Sequence, residues 1–470
     1  MSEFLLENGN IVTESEVFRG DILIKDDRIE KIMREKDKDS NLSRQEDVKT
    51  IDLQGKYVLP GIIDAHTHYF MESRDAATAD NFTTGSRSAL MGGVTTFIDY
   101  VVQTDRGDIL ADADNTIKEI SNDSYIDFSL HQCIYNYDNS VKNQLSDLKQ
   151  RCGISNLKIF TTYKQEGFMF PPDKLKSLFK KTSEEELLIT VHAEDHELIK
   201  DIEKVYVKHD LLKPFFHSKI RPSEAESMAI EKLGKLSKQM DLPLYIAHLS
   251  SRQGAKVKKE LNIEGARITA ETTPHHLLLD HSYLTGKNGN LFFMTPPLRS
   301  RHNSQYLWQE VKEGNISVIA TDHCSYNKQQ KFRTNNCLEI LPGIPGTETL
   351  LPLIHDYLIN QEDKNYTDLM KLLSTNPAKI FGLYPQKGSL IEGTDADITI
   401  LNPDKTVKIN EQKLNSAADY TPYEGFEVKG YPEMVFSRGE LIMNEQNLQD
   451  NIEPGRGEFI SADTSSLFFD

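Results

Sequence analysis

Two histidines stand one residue apart at the end of an apolar run, in the stretch PGIIDAHTHYF (residues 60–70). Side chains two residues apart on a strand point to the same side, so His66 and His68 can converge on one point. Imidazoles that converge in this way indicate a metal ion. The alternative is an ordinary pair of polar residues at a strand end, and the rest of the chain has to decide between the two.

Residues of ligand type also lie in four other apolar runs, TVHAE, YIAHLS, ATDHC and NLKIFTTY. They are His192, His248, Asp322 and Lys158. A single histidine at a strand end is more often a hydrogen-bonded polar residue than a ligand. Four histidines and an aspartate at matching strand ends, however, favour a metal site.

Lys158 has two interpretations. Metal cations would repel an ammonium group, because a nearby like charge disfavours the charged form. The side chain is therefore either an ordinary lysine with its ammonium at the rim of the site, or a carbamate formed from its neutral amine and carbon dioxide. A carbamate is an anion with two oxygens, one for each of two metals. The residues alone leave both alternatives open and favour the ordinary lysine.

Eight short apolar runs must position these residues: IIDAHTH, VTTFIDYV, IDFSLHQCI, NLKIFTTY, LLITVHAE, PLYIAHLS, ARITAETTPH and ISVIATDHC. Helix-like segments separate most of them, which predicts βαβ units with buried parallel strands. Eight units over about 260 residues predict an α/β fold, a (β/α)₈ TIM-like barrel with its active site at the carboxyl ends of the strands. A doubly wound open sheet is the alternative, but no Gly-x-Gly-x-x-Gly follows the early strands.

Both ends of the chain show a different pattern, with short alternating strands such as GDILIKDDRIEKI and GSLIEGTDADITILN. We therefore predict a small β-sandwich domain formed by residues 1–58 and 386–446. The barrel domain occupies 59–385, and a polar C-terminal tail follows over 447–470. The tail either packs on a neighbouring subunit or is partly disordered.

Composition excludes several classes of protein. The 470 residues carry a formal charge of -18, which disfavours a nucleic-acid surface. No apolar run approaches the ~20 residues of a membrane span, and the N-terminus shows no secretory signal. The four cysteines show no C-x-x-C spacing, so neither a disulfide framework nor a zinc ribbon is expected. We predict a cytoplasmic enzyme or binding protein.

The motifs resemble those of the cyclic amidohydrolases, in particular dihydropyrimidinases and hydantoinases. PGIIDAHTHYF, NLKIFTTYK, TVHAE, IAHLSS, MTPPLR and ATDHC carry the resemblance, which extends to GSLIEGTDADITILN near the end of the chain. It implies a (β/α)₈ barrel with a β-sandwich, a homotetramer and a binuclear metal centre, usually of zinc. It also implies a hydrolase that opens the cyclic amide bond of dihydropyrimidines or hydantoins to give N-carbamoyl amino acids.

The resemblance further implies six ligands for two divalent ions: His66, His68 and Asp322 for the more buried ion, His192 and His248 for the other, and a carbamate on Lys158 that bridges both. Asp322 would take a proton from the attacking water and deliver it to the leaving ring nitrogen. Tyr163 matches a tyrosine that hydrogen-bonds the substrate carbonyl as it becomes an oxyanion. Thr295 stands where hydantoinases commonly carry serine, and Gly343 belongs to a substrate-binding loop.

Two departures bear on the substrate. Pro342 precedes Gly343 where hydantoinases usually have Asn-Gly, a form more like that of dihydroorotases. Conversely, dihydroorotases usually place an arginine where this chain has Phe70, and an apolar ring cannot pair with a substrate carboxylate. Dihydroorotate is therefore disfavoured, with Arg74 as a substitute cation. Phe70, Phe160 and Met294 form either an apolar wall for a ring substituent or part of the barrel core.

Three alternatives stand beside the main interpretation. An allantoinase or a dihydroorotase would share the metal site and differ in the pocket loops. A mononuclear deaminase would need no carbamate, and the lysine-bearing run NLKIFTTY argues against it. A non-catalytic scaffold related to dihydropyrimidinase would have lost its metal ligands, whereas all six positions are intact here.

Overall fold

The computed structural model describes residues 3–37, 48–73, 76–105, 107–362 and 364–468. Its strands, numbered in chain order, are β1 (Glu3–Val12), β2 (Val17–Lys25), β3 (Arg28–Arg34), β4 (Val48–Asp52), β5 (Tyr57–Pro60), β6 (Ile62–Asp64), β7 (Glu72–Ser73), β8 (Ala76–Ala77), β9 (Val94–Val101), β10 (Asp127–Cys133), β11 (Asn156–Phe160), β12 (Leu188–His192), β13 (Pro243–Ile246), β14 (Arg267–Thr272), β15 (Val318–Ile319), β16 (Ile398–Lys408), β17 (Glu427–Ser437), β18 (Glu440–Asn444) and β19 (Asn447–Leu448).

The α-helices of the described ranges are α1 (Phe82–Met91), α2 (Ile109–Asp123), α3 (Asn139–Cys152), α4 (Leu175–Glu185), α5 (His196–Lys208), α6 (His217–Ile220), α7 (Ser223–Met240), α8 (Arg252–Ile263), α9 (Pro274–Leu278), α10 (Arg301–Lys312), α11 (Lys328–Lys331), α12 (Leu350–His355), α13 (Tyr366–Met370) and α14 (Asn376–Ile380). The sequence sets their ends locally. In α3, the Asp138 side chain accepts a hydrogen bond from Val141 N–H at the start, and Gly153 adopts φ 67° at the end.

Eight parallel strands form the barrel, in the order β6-β9-β10-β11-β12-β13-β14-β15. Each of the eight predicted apolar runs contributes one strand, and helices lie between strands, so the predicted barrel is confirmed. A parallel bridge between Thr67 and His323 joins the first strand to the last at their carboxyl ends. This pairing closes the barrel where the candidate ligands lie and excludes the open-sheet alternative.

A separate sheet combines both ends of the chain, in the order β19-β18-β17-β16-β5-β1-β2-β3 with β4 added to β1. The two ends meet where β16 pairs antiparallel with β5, with Ile400 opposite Val58. Alternate side chains of these strands, such as Phe4, Ile24 and Phe436, form a core of their own. The predicted β module of the fold is therefore present, and β5 leads through one glycine into β6.

The C-terminal segment lies along the amino ends of the barrel strands. The Ile460 N–H donates to Phe128 O at 2.7 Å, and the Ala462 N–H donates to Gly153 O at 2.8 Å. The Ser155 hydroxyl donates to Ala462 O at 2.6 Å. As far as residue 468 the tail thus packs on its own barrel. Neither sequence alternative, a neighbouring subunit or disorder, included this packing, because the bonds join backbone groups that carry no sequence signal.

Two further expectations concern the whole chain. No disulfide framework was expected, and all four cysteines are buried and free. Among the helices of the described ranges, none combines the length and the apolar character that crossing a membrane requires.

Candidate metal centre

The six predicted ligands lie around one cavity at the carboxyl ends of the barrel strands. Five strands, or the turns that follow them, place these residues: His66 and His68 after β6, Lys158 in β11, His192 at the end of β12, His248 after β13, and Asp322 after β15. Because parallel strands end at the same face of a barrel, residues far apart in the chain become neighbours.

The first group of ligands consists of His66, His68 and Asp322. The Oδ1 atom of Asp322 lies 3.3 Å from Nε2 of His66 and 3.4 Å from Nε2 of His68. One ligand atom from each residue falls within 4.8 Å of the other two, a spacing that suits one cation. Burial alone would raise the pKa of Asp322, but His66 and His68 lower it to about 2, so the side chain is a carboxylate.

The second group consists of His192 and His248. Nδ1 of His192 lies 3.0 Å from Nε2 of His248, and the His248 ring is 5.3 Å from the His66 ring between centroids. Burial lowers the pKa of both His192 and His248, so both rings are neutral. Neutral imidazole is the form that binds metals. This pair therefore offers a second ion two nitrogen ligands beside the first group.

Two glutamates fix the orientation of the rings from outside. Nδ1 of His66 contacts Glu271 Oε1, and Nε2 of His192 lies 2.7 Å from Glu194 Oε2. When the outer N–H of each ring donates to a carboxylate, the inner nitrogen presents its lone pair to the centre. The arrangement is the one in which carboxylates hold metal-binding histidines in place.

Both glutamates are themselves held by buried partners. Glu271 accepts hydrogen bonds from the Tyr245 hydroxyl at 2.9 Å and from the His248 N–H at 3.1 Å. Glu194 forms an ion pair with Arg221, whose guanidinium Nη2 lies 2.6 Å from Oε2. Our interpretation of the sequence missed Glu194 and Glu271. A signal existed, since each is a charged residue inside or directly after an apolar run.

Lys158 is 1% exposed and lies among these residues. Within the described part of the chain, its Nζ is a buried polar atom without a hydrogen-bond partner. The rings of Tyr100 and Phe160 lie 5.2 and 5.4 Å from it. Burial lowers the pKa of Lys158 to about 8, which raises the share of the neutral amine. An unpaired buried amine is costly, and it marks the place where a further group fits.

Three residues that face the cavity have left-handed backbones: Tyr163 at φ 67°, His248 at φ 36° and Asp322 at φ 51°. Such conformations cost non-glycine residues about 1–3 kcal/mol each and persist only where the surroundings enforce them. They turn each side chain towards the cavity directly after a strand. Histidine and aspartate adopt such backbones more often than most residues, but their identity alone does not show that these particular residues do.

The predicted substrate contacts Tyr163, Thr295 and Gly343 line the same cavity as the ligands. The Thr295 hydroxyl lies 3.1 Å from Nε2 of His217. Phe70 and Met294 also line the cavity, together with Phe160, so these apolar side chains border the space beside the ligands. Arg74, the substitute cation considered for dihydroorotate, lies outside the described residues.

Other histidines in barrel strand ends do not join the ligands. Nε2 of His323 lies 3.1 Å from Asp80 Oδ2, so this ring turns away from its neighbour Asp322. His131 packs against Tyr100, and Nε2 of His276 contacts Pro296 O at 3.1 Å. These contacts are those of buried packing residues.

Comparison with known proteins agrees with this geometry. Residues 57–442 match the amidohydrolase family. The chain is 32% identical to a D-hydantoinase of Ralstonia pickettii, and the match covers 97% of this chain and 98% of the relative. It is 30% identical to a D-hydantoinase of Geobacillus stearothermophilus, with 97% of this chain and 96% of that relative covered. The solved structure of a dihydropyrimidinase from Brevibacillus agri superposes with a TM-score of 0.93 at 28% identity, covering 98% of this chain and 99% of the other.

The chain therefore belongs to the amidohydrolase family. Within that family its relatives include hydantoinases and a dihydropyrimidinase, as the motifs indicated. Neutral imidazoles, an ionised aspartate and an unpaired buried amine fit the divalent metal site of such a protein.

The outer carboxylates provide a first prediction. Glu271→Gln is expected to lower metal affinity about 10–100-fold, because the amide no longer fixes the tautomer of His66 as a carboxylate does. Titration of metal-free protein with zinc against a competing chelator would measure it. Glu226→Gln is the matched control, since Glu226 is a buried carboxylate that accepts hydrogen bonds from Ser250 instead of a ligand. Equal affinities in the two variants would contradict the assigned role of Glu271.

Proposed function

We propose that the protein is a binuclear-metal hydrolase that opens the cyclic amide bond of dihydropyrimidines or hydantoins and releases N-carbamoyl amino acids. The observation that carries the proposal is the unpaired buried Nζ of Lys158. It lies among histidines, two of which, His66 and His192, direct their outer nitrogens at carboxylates. Buried polar atoms usually have a hydrogen-bond partner, so a free amine beside the ligand cluster favours a further group at that place. The names of the relatives support the substrate class.

The proposed centre would hold two divalent ions, which we infer to be zinc. His66, His68 and Asp322 would hold the more buried ion, and His192 and His248 would hold the other. A carbamate on Lys158 would lie between the two ions. When bound, such a pair polarises a carbonyl group and makes a water nucleophilic near neutral pH. Lys158 forms its carbamate by attack of the neutral amine on carbon dioxide, with loss of one amine proton.

The remaining chemistry falls to side chains of the cavity. Asp322 is ionised and adjoins the ligand cluster, so its carboxylate takes the proton of the attacking water. It then delivers that proton to the ring nitrogen as the amide bond breaks. The Tyr163 hydroxyl donates to the substrate carbonyl oxygen, where negative charge develops. The Thr295 hydroxyl and the backbone of Gly343 bind the polar groups of the ring.

The lining of the cavity also indicates which kind of substituent the substrate ring carries. Phe70, Phe160 and Met294 present apolar surface beside the proposed reaction centre, which favours a neutral or apolar group at the ring carbon. A carboxylate there would lose its hydration without a partner among these three residues. The substrate is thus a small cyclic amide or ureide. The homotetramer and the cytoplasmic location stay predictions that the resemblance and the composition suggest.

A substrate panel tests the proposal. Protein loaded with zinc or manganese would be assayed on dihydrouracil, 5-substituted hydantoins, allantoin and dihydroorotate, with the N-carbamoyl product identified by mass spectrometry. We expect turnover of dihydrouracil or a hydantoin. Turnover of allantoin or dihydroorotate alone would contradict the substrate assignment while leaving the metal site in place. A chain that purifies without stoichiometric metal and hydrolyses none of these rings would contradict the proposed function as a whole.

A further inference from the structure

Lys331, at the end of the short helix α11, is completely buried although it lies outside the ligand cluster. Its Nζ donates three hydrogen bonds, each of 2.8 Å, to the carbonyl oxygens of Phe293, Leu341 and Gly343. An ammonium group carries three protons and accepts nothing, so these three acceptors satisfy it fully. Burial lowers the pKa of Lys331 to about 7, whereas three acceptors at this distance favour the charged form.

The three carbonyls belong to the two backbone segments that border the substrate side of the cavity. Phe293 directly precedes Met294 and Thr295, and Leu341 precedes Pro342 and Gly343; the four residues that follow them line the cavity. The Gly343 N–H also donates to Phe293 O at 3.0 Å. The Phe293 carbonyl thus accepts hydrogen bonds from both Lys331 and the Gly343 segment. A shift of Lys331 would therefore move both segments.

Asn290 extends the same connection. Its side-chain amide donates to Lys331 O and to Thr334 O, both at 2.8 Å, and it is itself buried. Asn290 lies three positions before Phe293. It therefore joins the backbone around Lys331 to the same segment whose Phe293 carbonyl binds the Lys331 ammonium. The backbone of Gly343 is closely packed against the next segment, because a Cβ added there would lie 2.5 Å from Cys324 O.

We propose that Lys331 is a positioning residue for the substrate, which holds Thr295 and the Gly343 backbone at a fixed distance from the ligand cluster. The inference rests on the proposed function of this cavity. Lys331 does not touch the ligands or the ring itself, and it acts through the backbone of the two segments. Its loss should weaken binding of the ring in the ground state and the transition state alike, which raises KM and leaves kcat nearly unchanged.

Kinetics of metal-loaded variants on the best substrate of the panel would test this role. For Lys331→Met, which has no donor, we expect KM to rise about 10-fold or more and kcat to change less than about 3-fold. Lys331→Gln keeps two N–H donors and should give an intermediate KM. Lys258→Met is the matched control. Lys258 is a buried lysine in α8 that donates to the Asn315 carbonyl at 2.6 Å, and neither residue lines the cavity.

Hydrogen exchange of the substrate-free proteins provides a readout that needs no turnover. Peptides covering residues 289–296 and 339–345 should exchange faster in Lys331→Met or Lys331→Gln than in the native chain, and equally fast in Lys258→Met. A KM for both Lys331 variants equal to that of the control would overturn the proposal. If the native chain hydrolyses no ring of the panel, the proposed function fails, and exchange alone then decides: unchanged exchange in both segments would overturn the role of Lys331.

Discussion

Lys158→Ala is expected to lower hydantoin or dihydrouracil turnover by at least about 10³-fold, about 4 kcal/mol of transition-state stabilisation. The reason is that alanine cannot form the carbamate that would bridge two ions, so the second ion loses an anionic ligand. Metal content, measured by inductively coupled plasma mass spectrometry, should fall from two equivalents towards one or none. Steady-state hydrolysis of the same preparation gives the loss of activity.

The control for this prediction is Lys258→Ala. Burial lowers the pKa of Lys258 to about 8, as it does for Lys158, so both are buried lysines with a weakened charge. They differ in that Lys258 hydrogen-bonds a carbonyl, whereas Lys158 lies unpaired beside the ligands. The control should keep its metals and its activity within about 3-fold. A Lys158→Ala protein that retains two ions and native turnover would show that Lys158 is an ordinary buried lysine.

Asp322→Asn is expected to keep its metals but to lower kcat by about 10²–10⁴-fold, the usual contribution of a general acid–base group. The amide preserves the shape of the carboxylate and one oxygen ligand, but it cannot take the proton of the attacking water. KM should change much less than kcat, because the ring contacts of Thr295 and Gly343 stay in place. Metal analysis and steady-state kinetics on one preparation would separate the two effects.

Near-native turnover in a fully metal-loaded Asp322→Asn protein would contradict the proton transfer assigned to this residue. If the Asp322→Asn variant instead loses its metals, Asp322 serves mainly as a metal ligand. The position of the residue makes both roles physically possible, since its Oδ1 lies about equally far from Nε2 of His66 and from Nε2 of His68.

The barrel could be predicted from the sequence because its strands are buried on both faces. Each strand therefore appears as a run rich in apolar and β-branched residues, as in VTTFIDYV, where every residue of β9 is buried. The candidate ligands followed from the same pattern, since a polar residue such as His192 stands out at the end of such a run. The path of the tail could not be predicted, because it depends on backbone hydrogen bonds between segments distant in the sequence.

The remainder of the site depends on contacts that no spacing reveals. Glu271 reaches His66 across 205 positions of the chain, and its role follows only once the two strands are neighbours in space. The left-handed backbone of Asp322 likewise could not be predicted, because aspartate tolerates this conformation without requiring it. Lys331 looked like one of many lysines in a polar segment, and only its burial against three carbonyls distinguishes it.

The central claim is a pair of ions held by this cluster and bridged by a modified Lys158. Crystallographic data collected above and below the zinc absorption edge, on protein grown with zinc and bicarbonate, test it most directly. We expect two anomalous peaks about 3.5–4 Å apart. One should lie beside His66, His68 and Asp322, the other beside His192 and His248, with carbamate density extending from the Lys158 Nζ between them. A single peak, or an unmodified lysine beside two ions, would contradict the account.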